Sequence, residues 1–453
     1  MSLTKDQIRR AHVALNRFGL GAKPGAISKI GKNAKGAVIA EMSKRSIARI
    51  AQGSLPSYHE ACQKVDTEFD IENDLKEQEL TARIKKHMSV NIGFVERLVL
   101  FFSNHFSMSV NKGGSIRATI GQLERDVIRK HVLGKFEDML IGVMKHPAMI
   151  TYLDNTESIG ANSVRGIQWG AGHNQNLARE ALELHTLGVS GGYTELDVDN
   201  FAKVLTGWSY VRGWESEEGY NGGNSSNRGK FIFRADWHEP GSQRLLGKTF
   251  SQTGIKQGVA VLKHLAAHRS TAQFLAFKLV RHFITDKPTP ALVKPVAKAF
   301  RTSGGNLKTV AKALLDLDKA WTMPLRKLRT PYELQVAEFR AVKRTYPEDD
   351  RWNFVATLDA LRHRPWERPA PDGYSDESVY WMGPDAMRIR LETAQMNARE
   401  LERLELDDDS APVLANKLFS KALSKVSKAA IAAPADFDDG LTMIFMVPEF
   451  QRR

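Results

Sequence analysis

The sequence predicts a mainly α-helical fold: one large helical domain with a single short β-hairpin near 230–250. Apolar residues recur at helical spacing over most of the 453 residues. A capping box opens the first of these runs, and Thr194 with Asp197 comes close to a second. Only Lys230–Arg234 and Arg244–Phe250 alternate as strands do, with Asp236–Gly241 between them as the hairpin loop. The domain divides into an N-terminal lobe over about 1–150, a middle region over about 151–255 and a C-terminal helical lobe over about 256–453.

The first helix opens on Thr4, with Gln7 three residues later to complete a capping box. Ile8, Ala11, Leu15 and Phe18 share one face, and Gly19 ends the helix. A long charged helical run follows from Ser57 to about Asn111, weakly broken at Gly93; its second half, FVERLVLFFSNHFSM, is dense enough in Phe and Leu to be buried. Residues 120–146 are helical again, and 154–174 read as a loop rich in Gly, Asn and Ser. A polar helix runs from about Asn174 to Leu187, and Thr194 with Asp197 opens the next one. The segment 211–229 reads as a mobile surface loop. Helices resume from Lys256 to Ala320, broken by Pro288 and Pro290, and Thr330–Pro331 opens a further one. Residues 363–384 are irregular and rich in Pro and Trp. Two final helices, over about 384–404 and 411–430, flank the acidic joint Asp407–Asp409.

Composition narrows the function. The chain is 42% hydrophobic and 26% charged, as folded globular proteins are, so it can bury a sizeable core. Its net charge of +13 favours acidic partners such as nucleic acid, anionic lipid or anionic glycans. The excess is spread along the chain, however, and no segment interleaves basic and aromatic residues, so nucleic acid is an unlikely partner. A single cysteine, Cys62, excludes disulfide frameworks and cysteine-based zinc sites, and reads as a surface thiol. No stretch is long and apolar enough for a membrane span, and the N-terminus lacks the apolar core of an export signal. The expectation is a soluble, cytoplasmic protein.

The motif NLAREALELHTLGVSGG, Asn176–Gly192, concentrates the chemistry. Glu180 and Glu183 share a helix face with Asn176, and Arg179 is spaced to pair with Glu183. His185 lies about 200° round the helix from Glu183. Metal-binding helices use ligands three or four residues apart. Glu180 with Glu183 satisfies that rule, but Glu183 with His185 does not. A divalent-metal site therefore needs ligands from elsewhere, such as His105 in FFSNHFS or His238. In the catalytic reading, Glu180 or Glu183 is the base or metal ligand, His185 or His238 the acid–base partner, and Arg179 an anion clamp. The same residues also fit a structural Arg–Glu network with His185 as a core histidine. Asp236, His238 and Glu239 form a second cluster, readable as a base with its orienting carboxylate or as a turn held by its own hydrogen bonds. Trp208, Trp366 and Trp381 are candidates to line a pocket for sugars or flat ligands. Phosphate-binding and dinucleotide-binding glycine motifs are absent, as is the GxSxG elbow.

NLAREALELHTLGVSGGYTELDVDNFAKVLTGW resembles the signature of a large bacterial family, the domain of unknown function numbered 1800. Further segments match in order: HVALNRFGLGAKPG, FFSNHFS, MKHPAMITYLDN, FRADWHEPGSQRLLGKTF, LRTPYELQVAEFRA, DGYSDESVYWMGPDAMRIRLETA and the ending VPEFQRR. The resemblance covers nearly the whole chain and implies one mainly helical unit without an assigned activity. It also implies export in many members, which makes the periplasm the alternative location, and a sulfatase-like partner encoded nearby. The chain departs from the family's hairpin, carrying Glu239 after His238 where aspartate is common, and Gln243–Arg244 where lysine is common. The functional expectation is an enzyme for hydrolysis or group transfer on an anionic or sugar-like substrate. The rival is a non-catalytic binding or assembly protein that docks an acidic partner; binding of nucleic acid through the basic surface comes third.

Overall fold

A computed structural model of the chain describes residues 2–44, 46–213, 215, 225–344, 346, 351–402 and 410–453. It is 63% helix and 4% strand, so the mainly α class holds. Most of the expected 211–229 loop and the acidic joint 407–409 lie outside the described residues. Among those described, no helix is long and apolar enough to cross a membrane.

Local sequence signals hold at the helix starts. The Thr4 hydroxyl accepts the Gln7 N–H at 3.2 Å, while the Gln7 carboxamide oxygen accepts the Thr4 N–H at 2.9 Å. Helix Lys5–Val13 follows and buries Ile8 and Ala11. Capping boxes at Thr194 and Thr330 likewise open Glu195–Leu205 and Pro331–Ala341, the latter with proline in its first turn. The long run after Ser57 is three helices, Tyr58–Thr67, Ile71–Ser89 and Phe94–His105. Gly93 ends the second connection at φ 93°, but Asp70 at φ 56° makes the first break with no Gly or Pro to announce it.

Three helices continue into π-turns: Ala14–Phe18, Leu123–Ile128 and Ala181–Thr186. In a π-turn, residues five apart come into register. The Arg129 guanidinium thereby reaches the Glu124 carboxylate five residues back at 3.0 Å, and the Thr186 hydroxyl donates to the Ala181 carbonyl at 2.6 Å.

Strand pairing differs from the expected single hairpin. Phe231–Phe233 pairs antiparallel with Trp208–Tyr210, and Gln243–Leu245 pairs with Lys248–Phe250 in a hairpin of its own. The intervening Leu246 and Gly247 have φ 49° and 77°, the backbone of a tight two-residue turn that favours Asn-Gly in sequence. With leucine in the first position, the turn was not legible. The segment Asp236–Gly241 therefore connects two separate strand pairs.

One contiguous cluster of buried apolar residues runs from Ile8 to Phe450. Near its centre, every residue of Pro331–Ala341 is buried, and this helix packs against Ile71–Ser89 and Arg351–Ala360. Glu333, Gln335, Glu338 and Arg340 lie on that helix and are buried with it, which requires partners for each. Cys62 is also buried, against Gly229 and Tyr58, and burial pushes its thiol up to about 11; it is not the surface thiol expected.

Candidate functional site

The signature helix divides its residues between surface and core. Arg179 donates to both oxygens of Glu195, at 2.9 and 2.7 Å, and lies 3.6 Å from Glu183. As an anion clamp it is already occupied. Glu180 is half-buried, and burial followed by the Glu183 charge raises its pKa. His185 points into the core, fully buried, with neither ring nitrogen hydrogen-bonded among the described residues. Burial, then the nearby Lys278 charge, lowers its pKa to about 3.

His105 is buried against the same core. Its Nε2 lies 3.1 Å from the His185 carbonyl and its Nδ1 accepts from Lys278 at 3.0 Å. Both nitrogens are committed, so neither is free for a metal. His238 Nδ1 lies 3.1 Å from the Thr206 carbonyl, beside the Phe233 ring. Asp236 accepts from Arg165 at 2.8 Å, and Glu239 accepts from the Asn162 backbone at 3.0 Å. These carboxylates tie the segment to the 160–165 loop.

The expected metal set of His105, Glu180, Glu183 and His238 is thus not assembled. Among the described residues, no three His, Cys, Asp or Glu side chains converge in a way that fits a metal ion. The catalytic set is split in the same way: Glu180, Glu183 and Arg179 on one face, His185 in the core, His238 on another element. Gly207 sets the path into the His238 segment. It has φ 74°, and a Cβ there would lie 2.4 Å from the Arg234 carbonyl oxygen. Gly207→Ala is expected to cost about 1–3 kcal/mol or more in urea unfolding, through backbone strain and that clash; an unchanged midpoint contradicts this placement.

A different group of residues does converge. A cleft opens beside the Phe94–His105 helix, with room for several waters. Arg83, Glu124, His282, Glu333, His363 and Asp376 face it, together with the aromatic side chains of Tyr332, Trp366 and Tyr374. Of the three candidate tryptophans, Trp366 lines the cleft and Trp381 packs on His363 at 4.8 Å between ring centroids, while Trp208 lies in the core.

The charged walls are held by two buried networks, one on each side. Arg83 pairs with Glu124 at 3.2 Å and lies over the rings of Tyr332 at 4.8 Å and Trp366 at 5.2 Å. Glu124 pairs with Arg129, Arg129 with Glu96 at 2.9 Å, and Glu96 with His87 at 3.2 Å. On the other wall Glu333 accepts from Arg97 at 3.0 Å and Arg453 at 2.6 Å. His282 bridges Asp376, at 2.6 Å from Nδ1, and Arg97, at 3.1 Å from Nε2.

This network fixes the protonation states. Arg97 can only donate, so His282 Nε2 is the acceptor and Nδ1–H points to Asp376. Burial lowers the His282 pKa to about 4, keeping the ring neutral. Burial alone would raise the Glu333 and Asp376 carboxyls. For Glu333, Arg453 and Arg97 outweigh it and bring the group to about 2; for Asp376, His282 and Arg453 hold it well below its ordinary range. His363 takes the Tyr332 backbone N–H on Nδ1 at 3.1 Å, which places its proton on Nε2, and burial lowers it to about 3. Near neutral pH the cleft therefore presents ionised carboxylates, neutral imidazoles and aromatic faces.

Sequence reasoning missed Arg83, Glu124, His282, Glu333 and Asp376. One signal was available: FVERLVLFFSNHF places Glu96 and Arg97 inside a helix too apolar to be exposed, and buried charges need partners. Which partners they find depends on tertiary packing. No curated protein and no solved structure matches the chain. A model of a family described as a protein of unknown function (DUF1800) matches residues 13–452, an interval that includes every residue of the cleft and the signature helix. The chain belongs to that family.

Proposed function

We infer that the chain is an enzyme for hydrolysis or group transfer on a small, neutral, sugar-like substrate bound in this cleft. The carrying observation is that ionised carboxylates and aromatic faces line the same cleft. Aromatic faces suit the C–H faces of a sugar ring, and carboxylates accept from its hydroxyls. In this reading Asp376, which accepts from the neutral His282 ring at 2.6 Å, would stabilise positive charge developing at a reacting carbon. A neutral substrate is preferred over an anionic one because Arg83, the cation facing the cleft, is already paired with Glu124. Purified protein is to be assayed against chromogenic glycosides and other neutral sugar conjugates. The expected result is turnover that falls about 10²–10³-fold in Asp376→Asn while cooperative unfolding is retained. Turnover unaffected by Asp376→Asn, or no turnover with any neutral conjugate, contradicts it.

The rival reading, a binding or assembly protein, is favoured by one observation. The short helix Val164–Trp169 exposes Val164 (71%), Ile167 (73%) and Trp169 (47%). The partner would be acidic, given the net charge, and sulfatase-like by family resemblance. Nucleic acid fits less well because the basic excess is spread out. This reading expects Trp169→Ser to abolish partner capture without touching ligand binding in the cleft.

A further inference from the structure

Lys278 stands on the Arg269–Phe283 helix, one turn before His282 and on the same face. Its amine is 3.0 Å from His105 Nδ1. The other nitrogen of that ring faces the His185 carbonyl at 3.1 Å, and only an N–H can satisfy a carbonyl. The imidazole proton is thus on Nε2, and Nδ1 offers a lone pair to the lysine. Among the described residues no carboxylate forms an ion pair with Lys278; Asp372, Asp376 and Arg281 are charged groups in its surroundings. The Phe274 ring lies 5.4 Å from the amine, and the side chain is only partly covered. A lysine in this setting has exchanged a carboxylate for a neutral imidazole and an aromatic face, which favours the uncharged, nucleophilic amine. Burial, the largest influence, lowers its pKa to about 8.

We propose that Lys278 is a nucleophilic amine that takes small aldehydes or ketones as a Schiff base beside the cleft. The amine lone pair adds to the carbonyl carbon, and the carbonyl oxygen gains the proton that the nitrogen loses, giving a carbinolamine. His105 Nδ1 accepts one amine N–H and so orients the attacking nitrogen. The hydroxyl then leaves with the second nitrogen proton as one water, and a C=N bond remains; no electrons are gained or lost overall. This goes beyond the cleft reading and does not depend on it, since the amine is tested with or without a sugar in the cleft.

The test uses the full chain with glycolaldehyde and sodium cyanoborohydride near neutral pH, which reduces any imine to a stable secondary amine. Peptide mapping by mass spectrometry is expected to find Lys278 labelled at least about tenfold faster than the exposed Lys248 and Lys287, because each unit of lowered pKa raises the neutral amine fraction about tenfold. Lys278→Arg is expected to remove that fast adduct and leave the rates at the other two lysines unchanged. Labelling of Lys278 no faster than Lys248 in the wild-type chain overturns the proposal, whether or not the variant folds.

Discussion

Glu333→Ala is expected to destabilise the chain by about 3–5 kcal/mol, the cost of leaving a buried charge without its partner. Glu333 is buried between Arg97 and Arg453, and its carboxylate also accepts the Thr330 N–H at 3.0 Å to complete a capping box. Removal would take the shared carboxylate away from two guanidiniums that solvent does not reach. Urea unfolding of the variant measures the loss; a change under about 1 kcal/mol would show that the network is more solvated than described. The same pairs set an acid limit. Glu333 and Glu96 titrate near 2 in the folded chain against an ordinary 4.5. The unfolded chain therefore takes up protons first, so their contribution is complete above about pH 4.5 and is lost as pH falls towards 2.

His185→Leu is expected to act in the opposite direction, raising stability at neutral pH by about 1–3 kcal/mol. Both ring nitrogens are buried without a partner among the described residues, so the wild-type chain carries their desolvation cost. The pH dependence checks the cause. The folded ring titrates near 3 and a free one near 6.5, so protonation of the unfolded chain begins to pull against folding below pH 6.5. The advantage of leucine should grow by roughly a further 2 kcal/mol at pH 5. A destabilised variant, or a gain that does not change between pH 7 and pH 5, would mean that His185 has a partner. A stabilising substitution in the middle of the signature helix would mark a position where stability is given up, the pattern expected near function.

Helix starts were legible because they depend on residues close in sequence: the boxes at Thr4 and Thr194 form as read, and Thr330–Pro331 opens its helix as expected, with a capping box besides. The division of the signature helix was also legible in part, since its periodicity places His185 away from Glu183. Strand pairing was not, because Phe231–Phe233 finds its partner at Trp208–Tyr210, about twenty residues upstream, through tertiary packing. The cleft was hidden for a related reason. Arg83, Glu124, Glu333 and Asp376 come from four distant segments, and each looks locally like an ordinary solvated charge. Only the charges inside the apolar Phe94–His105 helix betrayed that ions were being buried. The motif richest in polar residues drew attention to Arg179 and Glu183, whose partners turn out to be each other and Glu195.

We propose that the chain's ligand site is the cleft between Arg83, Trp366, Tyr374 and Asp376, rather than the polar face of the signature helix. The most direct test is an X-ray structure of crystals soaked with a mixture of neutral mono- and disaccharides, paired with calorimetric titration of whichever sugar is seen. Density is expected stacked on Trp366 or Tyr374 and hydrogen-bonded to Asp376, with binding lost in Trp366→Leu. Density at Glu180 and Glu183 with an empty cleft, or binding that Trp366→Leu leaves intact, would contradict it.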